Sequence, residues 1–443
     1  MKKITFVAVF ALALASLLGL SPLRAETLRV CKTPTGVGWL ERTAEGDRIL
    51  HLQGSFYDMG WQHAKLLAED TRSALRSAKF MLWLNQPLMP SSVTMRLIHR
   101  EVSEKQAPFI PADFIAEMQG MADASGVSLA TIEAIHSLTY LTSCAGAAAW
   151  GRATADGQLL FMRSNDLAAA IDPLTLESFH DRGMIFIYQP QDGIPFMMIS
   201  WPGFIGASDG MNAEGIAIGN MSLPSRFETP AGVPMLFRLK QALAKSHTLD
   251  EAVAWMTAKP LEGGYNFIVA DAKIPSARVL ETDAQTVYAG GWDGPAESNH
   301  YVFQGREYAY VPLPDLILRT NHSLSSELIA HRELKMDDGV PLSRLSYQRY
   351  ADLHARLAAE HGRLGLQSMM ELLRASYRAI RWEKGPSLGL TSHQFVFAPQ
   401  SGELLIAFSH GNPGLVGRRA ASAFSQPYRR YNFRELLERE PEP

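Results

Sequence analysis

Only two cysteines, Cys31 and Cys144, occur in the 443 residues. That number excludes a disulfide-built scaffold, which uses several bridges in place of a large core. It leaves two readings of the pair: a single bridge, or a chemical role that keeps Cys144 free. Basic residues are not in excess either, with 42 Lys and Arg against 45 Asp and Glu and a formal charge of −3. No basic cluster is interleaved with aromatics, which argues against a nucleic-acid surface, since such surfaces work by neutralising phosphates. The 13 histidines show neither His-Glu-x-x-His spacing nor a Cys/His cluster, so no metal and no cofactor is expected. There is no repeat of fixed period and no low-complexity segment.

One long apolar run exists, from Ile4 to Leu20, and it is at the short edge for a membrane span. Lys2 and Lys3 precede it and Ser21-Pro22-Leu23-Arg24-Ala25 follows it, the order of a charged region, a hydrophobic region and a small-residue cleavage site. Residues 1–25 are therefore expected to be a signal peptide, and the mature protein periplasmic or secreted without an integral span. Apolar residues make up 47% of the chain and charged residues 20%, the balance of a globular protein with a sizeable core.

Alternation predicts a strand at Arg48–Leu52. Apolar residues at helical spacing, among them Met59, His63, Leu66, Leu67, Ala74 and Phe80, then predict one helix from about Tyr57 to Leu84. His63 reads as a helix-face residue and not as a ligand. Helices follow at about Val93–Lys105 and Asp113–Ala124, separated by Pro108 and Pro111. Another begins after Ser128 as N-cap and runs to about Tyr140. The front of the mature chain thus reads as mostly helical.

After Thr142 the pattern changes to strands. Gly151–Thr154 and Leu159–Arg163 flank the turn Ala155-Asp156-Gly157, and strands follow at Met184–Gln189, Phe196–Ser200, Ala207–Met211 and Ile216–Met221. Helices at Pro234–Ala244 and Leu249–Thr257 precede strands at Asn266–Asp271, Ala277–Thr282 and Thr286–Gly290. Helices at Tyr347–Glu360 and Ser368–Ala375 precede a hairpin of Gln394–Ala398 with Glu403–Ser409. Such blocks without a linker indicate one α+β domain of stacked layers. The acidic, proline-containing tail Glu438–Pro443 has a composition expected to be disordered.

Ser143-Cys144 stands where the helical front meets the strands. Cleavage before Cys144 would give one residue both a thiol and a free α-amine, whose intrinsic pKa of about 8 suits a base at neutral pH. Arg163 and Asp166 could supply a cation for the thiolate and an anion for the amine. Taken singly, each has a plainer reading: a cysteine among alanines is as readily a small core residue, and an Arg and Asp three apart as readily a solvated ion pair.

A resemblance decides between these readings. Cys144-Ala145-Gly146-Ala147-Ala148-Ala149-Trp150-Gly151, then Ala153-Thr154-Ala155-Asp156-Gly157 and Arg163-Ser164-Asn165-Asp166, resemble the nucleophile region of acyl-CoA:6-aminopenicillanate acyltransferases. These are N-terminal-nucleophile (Ntn) hydrolases related to choloylglycine hydrolases and penicillin V acylases. Leu52–His63, Gln119–Ser128, the segment Asp209–Ala217 with its Gly-Met-Asn turn, Arg319-Thr320-Asn321-His322 and Ser346-Tyr347-Gln348-Arg349-Tyr350 are similar to further motifs of that family, in order, over about residues 48–412. There are departures. Met162 stands where many relatives have Gly, Ala145 follows the cysteine in place of Ser or Thr, and the oxyanion Asn of the bile-salt branch aligns with Ser222, beside Asn220.

The resemblance implies an Ntn-hydrolase αββα four-layer sandwich with a helical N-terminal pro-segment, matured by autocleavage between Ser143 and Cys144. Residues 26–143 would form the small subunit and 144–443 the catalytic large subunit, the fragments staying associated. Cys144 would carry thiol and amine, with Arg163 near the thiolate, Asp166 on the amine and Asn321 as the active-site asparagine, its amide and a backbone N–H meeting the oxyanion. Arg349 would be the late arginine, with Arg344 a rival for that position. The implied substrate is a small N-acyl compound, cleaved or transacylated through a thioester. The alternatives are a phospholipase-B-like or other lipid ester hydrolase, and a non-catalytic envelope binding protein of the same fold.

Overall fold

The computed structural model describes residues 25–137, 143–168, 170–303, 306–331, 336–337, 340–380, 389–410 and 422–442. The expected signal peptide, Ala25 apart, and the expected helix end at Tyr140 lie outside them. Among the described residues no helix is long and apolar enough to cross a membrane.

Strands dominate the frame. β1 (Glu26–Lys32), β2 (Val37–Arg42), β3 (Arg48–Gly54), β6 (Met184–Pro190), β7 (Phe196–Ser200), β8 (Asp209–Asn212), β9 (Ile216–Ser222), β10 (Tyr265–Asp271), β11 (Ser276–Thr282) and β12 (Val287–Gly290) form one sheet in that spatial order. Within this sheet, among the described residues, only β3 and β6 pair in parallel. A parallel pair needs a long crossover, and here, among the described residues, it carries five α-helices of eight residues or more and two strands of the other sheet. The helices are α1 (Phe56–Leu66), α2 (Ala68–Asn85), α3 (Ser91–Ile98), α4 (Ala112–Ser125) and α5 (Leu129–His136). The strands are β4 (Ser143–Ala149) and β5 (Leu160–Ala168).

Further along come α6 (Met235–Lys245), α7 (Leu249–Thr257), α8 (Ser326–His331), α9 (Leu342–Ala359) and α10 (Leu366–Ile380), with a terminal α11 (Phe433–Glu438). Two small ladders pair β13 (His300–Phe303) with β14 (Arg306–Ala309) and β16 (Met336–Asp337) with β17 (Val340–Pro341). The second sheet runs β15 (Leu316–Arg319), β4, β5, β18 (Gly389–Ala398), β19 (Glu403–Phe408), β20 (Arg429–Asn432), all antiparallel.

Side chains alternate across a strand, and that period stacks the layers. In β6, Phe186 and Tyr188 face a core shared with Met59 of α1, Phe114 of α4 and Phe237 of α6. Ile185 and Ile187 face the other way, into a core shared with Cys144, Ala148, Phe161 and Phe395 of the second sheet. In β4 the odd residues Ala145, Ala147 and Ala149 meet Leu353 and Leu357 of α9 and Met369 and Leu373 of α10. The order is helix, sheet, sheet, helix: the expected αββα sandwich.

The helical front is also where the sequence reading departs from the structure. It contributes β1 and β2, which were not expected, and with β3 they form one flank of the ten-stranded sheet. The single helix expected from Tyr57 breaks at Leu67, whose ψ of 34° turns the chain so that Leu66 and Leu67 are both buried. Gly60 and Gly120, both inside the resemblance motifs, let α1 and α4 touch backbone to backbone: a Cβ on either would lie 2.0 Å from a carbonyl oxygen of the other helix. Gly151–Ala153 is a short 3₁₀ turn and not a strand. The tail is tied down: Arg439 pairs with Glu41, and the Glu442 N–H donates to Thr27 Oγ1 at 2.8 Å.

Candidate active site

β4 and β5 pair with Ser143 opposite Asp166, Cys144 opposite Asn165 and Gly146 opposite Arg163. The two-residue period therefore sends the Cys144, Arg163 and Asn165 side chains toward the other sheet and Asp166 toward the helices. Cys144 is fully buried, and its Sγ lies 3.6 Å from Asn165 Oδ1. Neither cysteine is in a disulfide: Cys31 sits half-buried on β1 of the other sheet, so the bridge reading does not hold.

Arg163 is 1% exposed. Its Nη1 donates to the Ser164 carbonyl at 2.7 Å, its Nη2 to Asn220 Oδ1 at 3.1 Å, and its Nε lies 3.6 Å from Asp209 Oδ2. Asp209 comes from β8 and is held in turn by His393 Nε2 of β18 at 3.2 Å. Burial works against the guanidinium charge, yet the attraction of Cys144 and Asp209 lifts its pKa above the ordinary value. Gly219 on β9 makes room for this side chain, since a Cβ there would lie 3.0 Å from Arg163 Cδ.

On the helix side, Asp166 Oδ1 accepts from Thr391 Oγ1 at 2.7 Å and Oδ2 from the Tyr377 hydroxyl at 3.2 Å, with Arg349 Nη1 3.8 Å away. Burial pushes the carboxyl up to about 6 in spite of Arg349 and these donors.

Asn321 joins the two halves. Its Oδ1 accepts from the Cys144 backbone N–H at 2.6 Å and from Arg349 Nη2 at 2.7 Å, and its Nδ2 donates to the Ser222 carbonyl at 2.8 Å. Its own N–H donates to Ser346 Oγ at 2.7 Å. The segment around it is clamped. Asn266 Nδ2 donates to the carbonyls of Thr320 and His322 at 2.9 Å each. Fully buried Arg319 pairs with Glu281 at 2.9 Å and with Glu297, and Glu281 also accepts from the N–H groups of Leu324 and Ser325. Asn321 thus turns its oxygen toward the Cys144 N–H, while its amide bonds the Ser222 carbonyl. Asn220, whose oxygen is taken by Arg163, has its amide donors on the opposite branch.

Cys144, Arg163, Asp166, Asn321 and Arg349 therefore form one connected cluster. Ser143 is the first residue of β4; its side chain and that of Arg344 on α9 lie outside the described residues. A cavity of about 390 Å³ opens beside the cluster. Arg163, Asn165, Asn220 and Ser222 line it with Ala78, Met81 and Leu82 of α2, and with Trp201 and Phe204. Its walls are mostly apolar with few convergent polar groups, the character of a small-molecule site.

Sequence reasoning did not single out Asn165, Asp209, Ser346, Tyr377, Thr391 or His393. Three of them carried a signal. Asn165 is two residues from Arg163 and shares its strand face, Asp209 opens the segment Asp209–Ala217 that carries the resemblance, and Ser346 opens the similar segment Ser346–Tyr350. The other three reach the cluster only through tertiary pairing.

The sequence pattern of the acyl-coenzyme A:6-aminopenicillanic acid acyl-transferase family matches residues 154–413, which include Arg163, Asp166, Asn321 and Arg349 and begin beyond Cys144. Among curated proteins, the chain is 25% identical over 401 residues to an uncharacterized protein of Archaeoglobus fulgidus, covering 82% of this chain and 64% of that one. It is 27% identical over 282 residues to protein dcd1B of Dictyostelium discoideum, covering 57% and 54%. The chain thus spans less than two thirds of the length of either relative. Among solved structures, the Caenorhabditis elegans N-acylethanolamine-hydrolyzing acid amidase ortholog is 16% identical, with 58% of this chain and 93% of that one covered and a TM-score of 0.37. Penicillin V acylase from Agrobacterium tumefaciens is 12% identical, with 61% and 84% covered and a TM-score of 0.34. A mutant of conjugated bile acid hydrolase from Clostridium perfringens is 10% identical, with 65% and 96% covered and a TM-score of 0.34.

Proposed function

The chain belongs to the acyl-coenzyme A:6-aminopenicillanic acid acyl-transferase family, and from that premise we propose that it is an exported, self-cleaving amide hydrolase whose nucleophile is Cys144. The observation that carries the reading is the Cys144 N–H bonded to Asn321 Oδ1, which Arg349 in turn ties toward Asp166. A free α-amine at Cys144 would find acceptors there, while its thiol lies on the other strand face with Arg163 and Asn165.

In this mechanism, cleavage of the Ser143–Cys144 peptide bond frees the amine. The amine takes the thiol proton, and Sγ attacks the carbonyl carbon of an N-acyl substrate. The oxyanion is met by the Asn220 amide and a backbone N–H, donors of a kind worth a few kcal/mol in such sites. On collapse the C–N bond breaks, the proton passes to the departing amine, and a thioester remains on Cys144. Water, activated by the same α-amine, adds to the thioester and returns the thiol and a carboxylic acid. Transfer to a second amine would follow the same path with that amine in place of water. Hydrolysis is favoured, because acyl-CoA is a cytoplasmic donor and residues 1–25 read as an export signal.

Intact mass of the purified protein beside a Cys144→Ala variant tests the proposal. Divided in proportion to residue number, the 48.9 kDa chain yields about 33 kDa from Cys144 onward and about 13 kDa from Glu26 to Ser143. Both fragments are expected in the wild type, and the variant stays uncut. A folded wild-type chain that stays whole would overturn self-cleavage and favour a binding protein of the same fold.

A further inference from the structure

Cys144 and His393 are both cross-strand partners of Asn165, one on β4 and the other on β18, so the three stand in one row across the second sheet. A bulge at Ser392 aims the last of them. It shifts the register between Thr391 and His393, so that Thr391 turns to Asp166 on the helix side while His393 turns toward the other sheet. Bulges re-aim side chains in this way and are common beside active sites. The Ser392 hydroxyl fixes the bulge by donating to the Asn165 carbonyl at 2.9 Å.

There His393 meets Asp209, and both are fully buried. Asp209 Oδ2 is approached by three groups: His393 Nε2 at 3.2 Å, the Ser208 hydroxyl at 3.1 Å and Arg163 Nε at 3.6 Å. A carboxylate only accepts, so the imidazole donates through Nε2. The first two distances are hydrogen bonds and the third is too long for one. Arg163 Nε and Asp209 Oδ1 are both buried without a hydrogen-bond partner. The carboxylate is thus an anion held just short of the Arg163 cation by what it accepts from His393 and Ser208. The rings of Trp201, Phe395 and Phe408 stand around the imidazole at 5.7, 6.0 and 6.5 Å between centres. Among the described residues its one ion-pair partner is Asp209.

This arrangement bears on the thiol. Burial works against the Arg163 charge, while Cys144 and Asp209 both favour it, so one cation serves two anions once the thiol ionises. Buried charges are screened little by solvent. The other charges near Cys144, those of Asp166 and Arg349, act from the helix side of β4 and β5.

We propose that Asp209 and His393 are positioning residues that set how readily the Cys144 thiol ionises: Asp209 competes with the thiolate for the Arg163 guanidinium, and the His393 N–H holds Asp209 back from it. That Cys144 is a nucleophile rests on the reading above; the action of the pair on its thiol does not. A mere brace between the two sheets would change stability and leave the thiol as it was.

The test titrates the ultraviolet absorbance of the thiolate with pH, in a Cys31→Ser background and against the same chain carrying Cys144→Ala. Intact mass first shows which chains share a cleavage state, and those are compared. Asp209→Asn keeps the shape and an oxygen for His393 while removing the charge, and should lower the titration midpoint by about one pH unit, roughly tenfold more thiolate below it. His393→Phe keeps a ring and loses the donor, and should raise the midpoint by about as much. His393→Gln, with an amide N–H where Nε2 stood, should restore most of that shift. Asp209→Asn together with His393→Phe should match Asp209→Asn alone, because His393 acts through the charge that is gone. A midpoint that Asp209→Asn leaves unmoved or raises, or that His393→Phe leaves unmoved or moves equally with and without Asp209, overturns the proposal. So does a His393→Gln chain that matches His393→Phe, or an Asp209→Asn chain that no longer cuts where the wild type does, since a more readily ionised thiol should cut at least as fast. If His393→Phe fails to fold or to cut, Asp209→Asn and His393→Gln carry the test. Shifts seen in a wild-type background that stays whole support the pair while self-cleavage fails, and unmoved midpoints in a cut chain sink the pair alone.

Discussion

Replacing Gly219 by alanine puts one methyl group into space that Arg163 and Phe161 occupy. The new Cβ would stand 3.0 Å from Arg163 Cδ, 3.1 Å from Phe161 Cζ and 3.3 Å from Arg163 Nε. Carbon–carbon contacts are comfortable at about 3.5–4.0 Å, so something must move by roughly half an ångström. Phe161 is fully buried and stacks with Phe395 and Phe397 at 6.4 and 6.3 Å between ring centres. Arg163 is tethered to the Ser164 carbonyl, Asn220 and Asp209. Overpacking of this kind costs about 1–3 kcal/mol, against a gain of about 0.5–1 kcal/mol from removing a strand glycine, for a net loss of up to about 2.5 kcal/mol. The functional loss should be larger, because a shift of a catalytic group by about 1 Å can cost a hundredfold in rate. Urea unfolding reads the first quantity. Iodoacetamide alkylation of Cys144, followed by peptide mass so that Cys31 is counted apart, reads the second. A variant with unchanged stability and an unchanged Cys144 alkylation rate would refute the claim that Gly219 seats Arg163 against the thiol.

Three other outcomes are expected. Asp166 holds its proton more tightly when folded, at about 6 against an ordinary 3.8, so its contribution to stability falls as pH rises from about 4 to 6, by about 3 kcal/mol, and is level above. Urea unfolding of the uncut Cys144→Ala chain across that range, with and without Asp166→Asn, should show the variant losing that slope; identical slopes would contradict it. Arg319→Met leaves Glu281 and Glu297 buried without their cation and should cost about 3–5 kcal/mol, partly recovered by adding Glu281→Gln and Glu297→Gln; a single variant of wild-type stability would sink the account. Asn220→Ala should lower kcat by about 10²–10³ while the Asn220→Asp chain, which lacks the donor but keeps an oxygen for Arg163, falls as far; retention of full kcat in the Asp variant would show that Asn220 braces Arg163 and does not serve the oxyanion.

Much of the fold is legible where local chemistry is one-sided. Phe196–Ser200 and Leu249–Thr257 have the observed boundaries because one is a short apolar run between Pro195 and Pro202, and the other has helical spacing between the N-cap Thr248 and Pro260. β1 shows no such signal. Glu26–Lys32 mixes charged and apolar residues and is mostly exposed, and it is a strand because β2 offers it an edge. The break at Leu67 is hidden because apolar residues on both sides of it suit an unbroken helix. The tail misleads by composition as far as Glu442, since one ion pair to Glu41 and one hydrogen bond to Thr27 hold what acidity and proline suggest is loose.

Most elements and the family were therefore legible in the sequence alone, because periodicity, turn chemistry and the motif around Cys144 are local and survive in a string of residues. The tertiary structure decided the rest. Register between β4 and β5 sends the thiol and Arg163 to one face and Asp166 to the other, although Arg163 and Asp166 are three residues apart. Stacking of the two sheets brings Asp209 and Gly219 from the first onto Arg163 of the second, and docking of α9 and α10 brings Arg349 and Tyr377 onto Asp166. Each of these contacts joins residues dozens to hundreds of positions apart, and only burial of both sheet faces together makes closing such loops favourable.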